Sequence, residues 1–243
     1  MKSAFDLSGR RILITGAADG IGAATAAVCA RLGAEVILVD LRDAEIVAAQ
    51  IREAGGQASS LVADVSTRAA AEQLAGIVDD LDGLVLNAAV CPWDDDWDAP
   101  SWDTNFDRVI AVNVLGPVHL ARVFLPAMIR RQWGRMVFVG SLAGRTGGLI
   151  AGPHYVASKG GVHAFVKWLA RRAGPHGVLV NGVAPASVET AMMTDRPVDL
   201  ARIPLARKAS PEEVAWPIAF LCSAAASYIC GAVLDVNGGV HMG

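Results

Sequence analysis

A doubly wound α/β domain is the fold class this chain predicts: one seven-stranded, mainly parallel sheet flanked by helices, spanning residues 1–243 as a single domain. Seven short runs rich in Val, Ile and Leu are apolar at both alternating sets of positions, the pattern of strands covered by helices on both faces. Longer segments of helical periodicity separate them, the alternation that builds a parallel sheet through crossovers. The 243 residues, 53% hydrophobic with 25 glycines, contain no repeat, linker or low-complexity stretch and suit one packed domain.

In chain order, strands are expected at Arg11–Thr15, Glu35–Asp40, Ser60–Asp64, Gly83–Asn87, Arg135–Gly140, Val178–Val183 and Ala232–Val236. The intervening helices are expected at Gly20–Leu32, Ala44–Ala54, Arg68–Asp80, Trp102–Leu115, Pro117–Arg131, His154–Ala173 and Pro211–Ser223. In the first of them Ile21, Val28 and Leu32 fall on one stripe. Right-handed crossovers and a switch in strand order then leave a crevice at the carboxyl ends of the strands, where ligands bind.

Composition narrows the partners. A formal charge of -3 gives no broad basic field, which argues against nucleic acid. Cys29, Cys91, Cys222 and Cys230 are scattered without metal-ligand spacing, and Cys29 and Cys222 sit in apolar helical patterns as small buried thiols do, so a reducing compartment is inferred. Met1 to Gly9 lacks an apolar leader core, and no apolar run approaches the ~18 residues of a membrane span; a cytoplasmic protein is expected.

The first strand runs through Thr15-Gly16-Ala17-Ala18-Asp19-Gly20-Ile21-Gly22 directly into a helix. Glycines there let backbone approach a pyrophosphate, and the helix N-terminus offers it unpaired N–H groups. Asp40 closes the second strand eighteen residues beyond Gly22, the place of an acceptor for the adenosine ribose diol. This is a Rossmann-type dinucleotide site. Asp40 would repel a 2′-phosphate, and the loop itself carries no Arg or Lys to offset that repulsion, so NAD is expected over NADP.

Tyr155 and Lys159 lie four positions apart in the helix His154–Ala173 and leave one helical face, with Ser141 fourteen residues upstream of the tyrosine. A free phenol ionises near pH ~10, and a neighbouring ammonium favours its charged form. That is an acid/base pair for hydride chemistry.

With these residues in place the chain resembles the short-chain dehydrogenase/reductase family over nearly its whole length. The matches are Thr15–Gly22, the Asn of Val112-Asn113-Val114, the Ser of Gly140-Ser141-Leu142, Tyr155 with Lys159, and the closing Asp235-Val236-Asn237-Gly238-Gly239. The resemblance implies that Tyr155 is the acid/base, that Ser141 orients the substrate oxygen, and that Lys159 binds the nicotinamide ribose and lowers the Tyr155 pKa. It also implies that Asn113 holds a water continuing the proton path, that Asp64 and Val65 contact adenine, that Asn87 contacts the cofactor, and that Val188 and Thr190 hold the carboxamide. Three positions depart from the family pattern: Leu86 and Ala89 in Leu86-Asn87-Ala88-Ala89, and Ala186 after Pro185, where a glycine with positive φ is usual and alanine would add strain.

Other features of the chain carry weaker signals. Asp94, Asp95, Asp96 and Asp98 lack a His or Cys companion and are read as a solvated loop rather than a metal site. Trp93 and Trp97 either wall the substrate pocket or pack its rim. His154 points roughly 100° away from Tyr155 around the helix and is expected at the surface or pocket edge. Leu142, Leu149, Val188, Met192 and Met193 suggest an apolar pocket, and the segment between Ala186 and Pro211 shows no clustered Arg or Lys. The expected activity is therefore NAD(H)-dependent interconversion of a small apolar, cyclic or aromatic secondary alcohol and its ketone. A 3-oxoacyl-carrier-protein reductase and a non-catalytic dinucleotide sensor remain the alternatives. Apolar excess on Pro117–Arg131, His154–Ala173 and Tyr228–Val236, and pairing habits in the family, lead to an expected homotetramer.

Overall fold

In the computed structural model, which describes residues 3–93, 97–148 and 150–243, the strands are β1 Arg11–Thr15, β2 Glu35–Asp40, β3 Gln57–Val62, β4 Gly83–Leu86, β5 Gly134–Val139, β6 Val178–Pro185 and β7 Val233–Val236. They form one sheet in the order β3-β2-β1-β4-β5-β6-β7, every neighbouring pair parallel. The helices are α1 Gly20–Arg31, α2 Glu45–Glu53, α3 Arg68–Ile77, α4 Trp102–Ile110, α5 Gly116–Arg131, α6 Ala143–Thr146, α7 Pro153–Ala173 and α8 Pro211–Cys222.

The alternation of strand side chains divides the core into two layers. Ile12, Ile14, Val36 and Leu38 pack with Val28 and Cys29 of α1 and Val214 and Ile218 of α8. Leu13, Ile37, Val39 and Leu84 face the other way, onto Leu120, Phe124 and Met128 of α5 and Val166 of α7. Removing each such side chain from water contributes about 1.5–3 kcal/mol. Strand order turns back between β1 and β4, whose carboxyl ends therefore splay open beside the Gly16–Gly22 turn.

Two expectations change here. The third strand starts at Gln57, earlier than the apolar run at Ser60, and alternates exposed and half-buried residues instead of being covered on both faces. It is the sheet edge, so Gln57, Ser59 and Val62 need no helix above them. The expected continuous helix Trp102–Leu115 instead ends at Ile110 and passes through one π-helical turn, Ala111–Leu115, before α5. Pro117 has no N–H to give the Asn113 carbonyl, its α-helical partner one turn back, so the ladder widens there. Trp102–Arg131 as a whole is long and apolar enough to cross a membrane, yet Leu120, Ala121, Phe124, Leu125 and Met128 lie buried in the core.

Candidate active site

The dinucleotide end of the cleft is shaped by glycines that nothing else could replace. Gly16 has φ +66, and a Cβ there would come within 2.8 Å of the Ala88 Cα. A Cβ on Gly22 would lie 2.0 Å from the Gly16 carbonyl oxygen. Gly20, φ +56, lies under the Thr190 side chain, with 3.2 Å between Thr190 Cγ2 and the place of a Cβ. The backbone is thus bare where a pyrophosphate would meet the start of α1, and the residues present fit such a group.

Polar bonds tie that turn to the end of β4. The Thr15 hydroxyl accepts from the Asn87 and Ala88 amides at 3.0 and 3.1 Å, and Asn87 Nδ2 donates to the carbonyls of Thr15 and Gly16, 3.0 Å each. Asp40 Oδ2 accepts the Ala18 amide and Oδ1 the Arg42 amide, both at 3.0 Å. Asp19, Ile21, Asp64, Val65 and Thr190 line the same cleft as Asp40. A cation does stand in this region, against expectation: Arg42 Nη2 bonds Asp19 Oδ2 at 2.7 Å, and its Nε is 3.9 Å from Asp40 Oδ1. It is no part of the glycine turn: Arg42 follows β2 and reaches back across the cleft.

Beyond Asn87 the cleft narrows into a cavity of about 180 Å³ lined by Cys91, Trp93, Ser141, Leu142, Tyr155, Lys159, Val188, Thr190, Met192 and Met193. It brings together Ser141, Tyr155 and Lys159 of the expected catalytic set. Asn113 sits deeper, in the π turn: its Oδ1 accepts the Val90 amide at 2.8 Å while Nδ2 donates to the Val90 carbonyl at 2.9 Å and to Ser158 Oγ at 3.2 Å. Asn113 therefore braces the loop after β4 against α7. The Ser158 hydroxyl completes the brace by donating to the Tyr155 carbonyl at 2.7 Å.

Ser141 Oγ accepts the Ala143 amide at 3.1 Å and lines the same cavity as the Tyr155 phenol, whose charged form it favours. Lys159 Nζ lies 5.5 Å from the Tyr155 ring centroid and donates to the Val139 carbonyl at 2.8 Å. Burial drives the pKa values of the pair. The Tyr155 phenol is pushed up by burial and then by Cys91, with Ser141 opposing, and Lys159 is pushed down to about 8 by burial, with Cys91 opposing. Burial thus shifts the phenol in the direction opposite to the lowering expected from its lysine. Cys91, which the sequence shows only as one of four scattered thiols, faces both groups, and burial raises its thiol to about 12.

Position corrects some expectations and decides between the alternatives of others. His154 is fully buried, stacked on Trp102 at 5.6 Å, because Trp102 of α4 covers that face of α7. Trp93 lines the cavity, whereas Trp97 is 66% exposed and packs on Trp102. Ala186 has no positive φ, so the alanine there adds no strain. Arg196 and the adjacent pair Arg207 and Lys208, which form no cluster in the sequence between Ala186 and Pro211, line one groove beside Gly20 and Thr190. Leu149, Asp94, Asp95 and Asp96 lie outside the described residues.

Residues 10–200 match the family model for short chain dehydrogenases. The chain belongs to the short-chain dehydrogenase/reductase family. A 3-oxoacyl-[acyl-carrier-protein] reductase of Aquifex aeolicus is 36% identical over 246 residues, covering 96% of this chain and 98% of the relative. A protein of Beutenbergia cavernae described as an NAD(P)-dependent gluconate 5-dehydrogenase, solved with NADP at low occupancy, superposes with a TM-score of 0.92 at 36% identity, covering 98% of this chain and 99% of its own. A 3-oxoacyl-[acyl-carrier protein] reductase of Brucella melitensis with bound NAD gives 0.91 at 31% identity, covering 98% and 94%. The family is one of oxidoreductases acting on CH–OH groups with a nicotinamide dinucleotide, and its members among these neighbours hold either form of the cofactor.

Proposed function

We propose that this chain interconverts a small, apolar, cyclic or aromatic secondary alcohol and its ketone with NAD(H), in the cytoplasm and as a homotetramer. The observation that carries the reading is one cavity of about 180 Å³ lined by Tyr155, Ser141 and Lys159 and continuous with the glycine turn. Its apolar walls, Leu142, Val188, Met192 and Met193, match a substrate without charge. The Gly16–Gly22 turn and the α1 N-terminus would hold the pyrophosphate, Asp40 the adenosine ribose, Asp64 and Val65 the adenine, and Asn87, Lys159, Val188 and Thr190 the nicotinamide half. The nicotinamide supplies or accepts the hydride when bound.

The remaining chemistry belongs to the chain. Ser141 Oγ, fixed by the Ala143 amide, orients the substrate oxygen, and Tyr155 takes the hydroxyl proton in oxidation or gives its own in reduction. Lys159 stabilises the phenolate as it forms, and Asn113, by holding Val90 and Ser158, keeps α7 in register with the loop that closes the cavity. Asp40 accepts the ribose hydroxyls and disfavours a 2′-phosphate.

A second reading is reduction of a 3-oxoacyl thioester, favoured by the Arg196, Arg207 and Lys208 groove and by the Aquifex aeolicus relative. Steady-state turnover of a panel of cyclic alcohols, ketones and an acetoacetyl thioester, each with NAD(H) and NADP(H), separates the two. Highest kcat/KM on the thioester would favour the second, and NADH binding with no turnover on any member would leave only a dinucleotide sensor.

A further inference from the structure

Just past β5 the chain carries Ser141 on a turn whose backbone amides are unequally served. The Gly140 amide donates to the Val183 carbonyl and the Leu142 amide to the Pro185 carbonyl, 2.8 Å each, continuing the pairing with β6. The Ser141 amide between them has no strand partner, and an amide left unpaired in the interior is costly. His163 supplies the acceptor: its Nε2 lies 3.4 Å from Ser141 N. The imidazole presses on this turn so closely that a Cβ on Gly140 would fall 2.2 Å from Nε2 and 2.6 Å from Cδ2. His163 is 6% exposed, one helical turn beyond Lys159 and two beyond Tyr155 on α7. One face of that helix therefore presents the acid/base, its cation and a brace for the serine.

We propose that His163 is a positioning residue for Ser141: its neutral imidazole, carrying its proton on Nδ1, accepts the Ser141 amide and fixes the turn that aims the serine hydroxyl at the Tyr155 phenol. Only the neutral ring can do this, since the imidazolium has no acceptor. The surroundings hold it neutral. Arg145 from α6 and Lys159 and Lys167 from α7 oppose a charge on it, Asp235 of β7 favours one, and Asp235 is itself engaged by Arg145 at 3.1 Å. Burial first and these cations next bring the His163 pKa down to about 4. A histidine in the unfolded chain takes its proton near 6.5, so between that pH and about 4 the unfolded state binds the extra proton and stability drains away as pH falls.

The proposal rests on the acid/base reading of Tyr155 and Ser141, and its test has one arm that needs no substrate. In ¹⁵N NMR of the wild-type protein His163 should show an unprotonated Nε2 with a protonated Nδ1 across pH 5–8. A proton on Nε2, or titration near 6.5, overturns the proposal whatever the enzyme turns over. In the kinetic arm, His163→Leu should lower kcat about tenfold with the KM for NADH unchanged, while His163→Gln, whose Oε1 can take the same amide, should recover to within about threefold of wild type. The wild-type Tm should fall from pH 6.5 to 4.5 more steeply than that of His163→Leu. Equal kcat in a folded His163→Leu, or equal losses in both variants, would show that the ring merely fills space.

Discussion

In the proposed reaction Tyr155 is the carrier of the transferable proton, and deleting its oxygen tests that assignment most directly. Tyr155→Phe keeps the ring and the packing on Lys159 but removes the phenol oxygen, so kcat should fall below a tenth of wild type, a loss above ~1.4 kcal/mol, while NADH binding measured by fluorescence titration persists. Retained turnover would assign the proton to another group. Lys159 invites a pH experiment. Its pKa is about 8 in the fold against 10.5 for the free side chain, so between those values the unfolded chain holds the proton that the folded one has released. Stability from this group therefore rises with pH across that window, and the Tm of Lys159→Met relative to wild type should be most favourable below pH 8 and decline towards pH 10.5. At the adenosine end two residues pull in opposite directions. In the proposed cofactor preference Asp40 disfavours a 2′-phosphate, whereas Arg42, bonded to Asp19 in an exposed pair that itself contributes at most about 1 kcal/mol, is free energetically to turn towards one. Wild type should prefer NADH in kcat/KM, and Arg42→Ala should widen that preference about tenfold by losing a charge-assisted bond to NADPH alone. A wild-type ratio of one or below would reverse the role of Asp40.

At the scale of elements, the β1–α1 turn works because two peptide groups nearly touch. Gly22→Ala places a methyl 2.0 Å from the Gly16 oxygen, so the turn must open and binding of either dinucleotide should weaken at least tenfold, read by calorimetry, with circular dichroism little changed. The same elements show what a sequence reveals. β1 and β2 fall where their apolar runs lie because helices cover both faces and burial dictates composition. Edge strand β3 has no such requirement, and its Gln57 and Ser59 give no apolar signal. Tyr155, Lys159, Ser141 and the glycines were legible because each depends on spacing within one segment. Arg42 against Asp19, His163 against Ser141 and Cys91 against Tyr155 were not, since each is a meeting of separate elements that only the packed sheet creates. The π turn at Asn113 stands between these cases: Pro117 is visible in the sequence as a missing donor, but which way the helix yields depends on what α7 offers.

The whole molecule places all of this chemistry at one end of the sheet and leaves apolar surface elsewhere. Trp168 on α7 is 56% exposed and stacks on Phe165 at 5.8 Å, Leu115 is exposed at the start of α5, and Tyr228 before β7 is wholly exposed. Large apolar and aromatic side chains in such positions are what subunit contacts cover. They lie on two separate regions, the α5/α7 flank and the β7 edge of the sheet, as the strand order requires. Two self-complementary contacts on distinct faces generate a closed assembly of four with two-fold symmetry. Sedimentation velocity at micromolar concentration should therefore show a tetramer. Trp168→Glu should reduce it to a dimer through the loss of the flank contact alone, and Tyr228→Glu to a dimer through the other. A wild-type chain that sediments only as monomer would overturn the assembly, and a Trp168→Glu variant that stays tetrameric would move the flank contact away from α7.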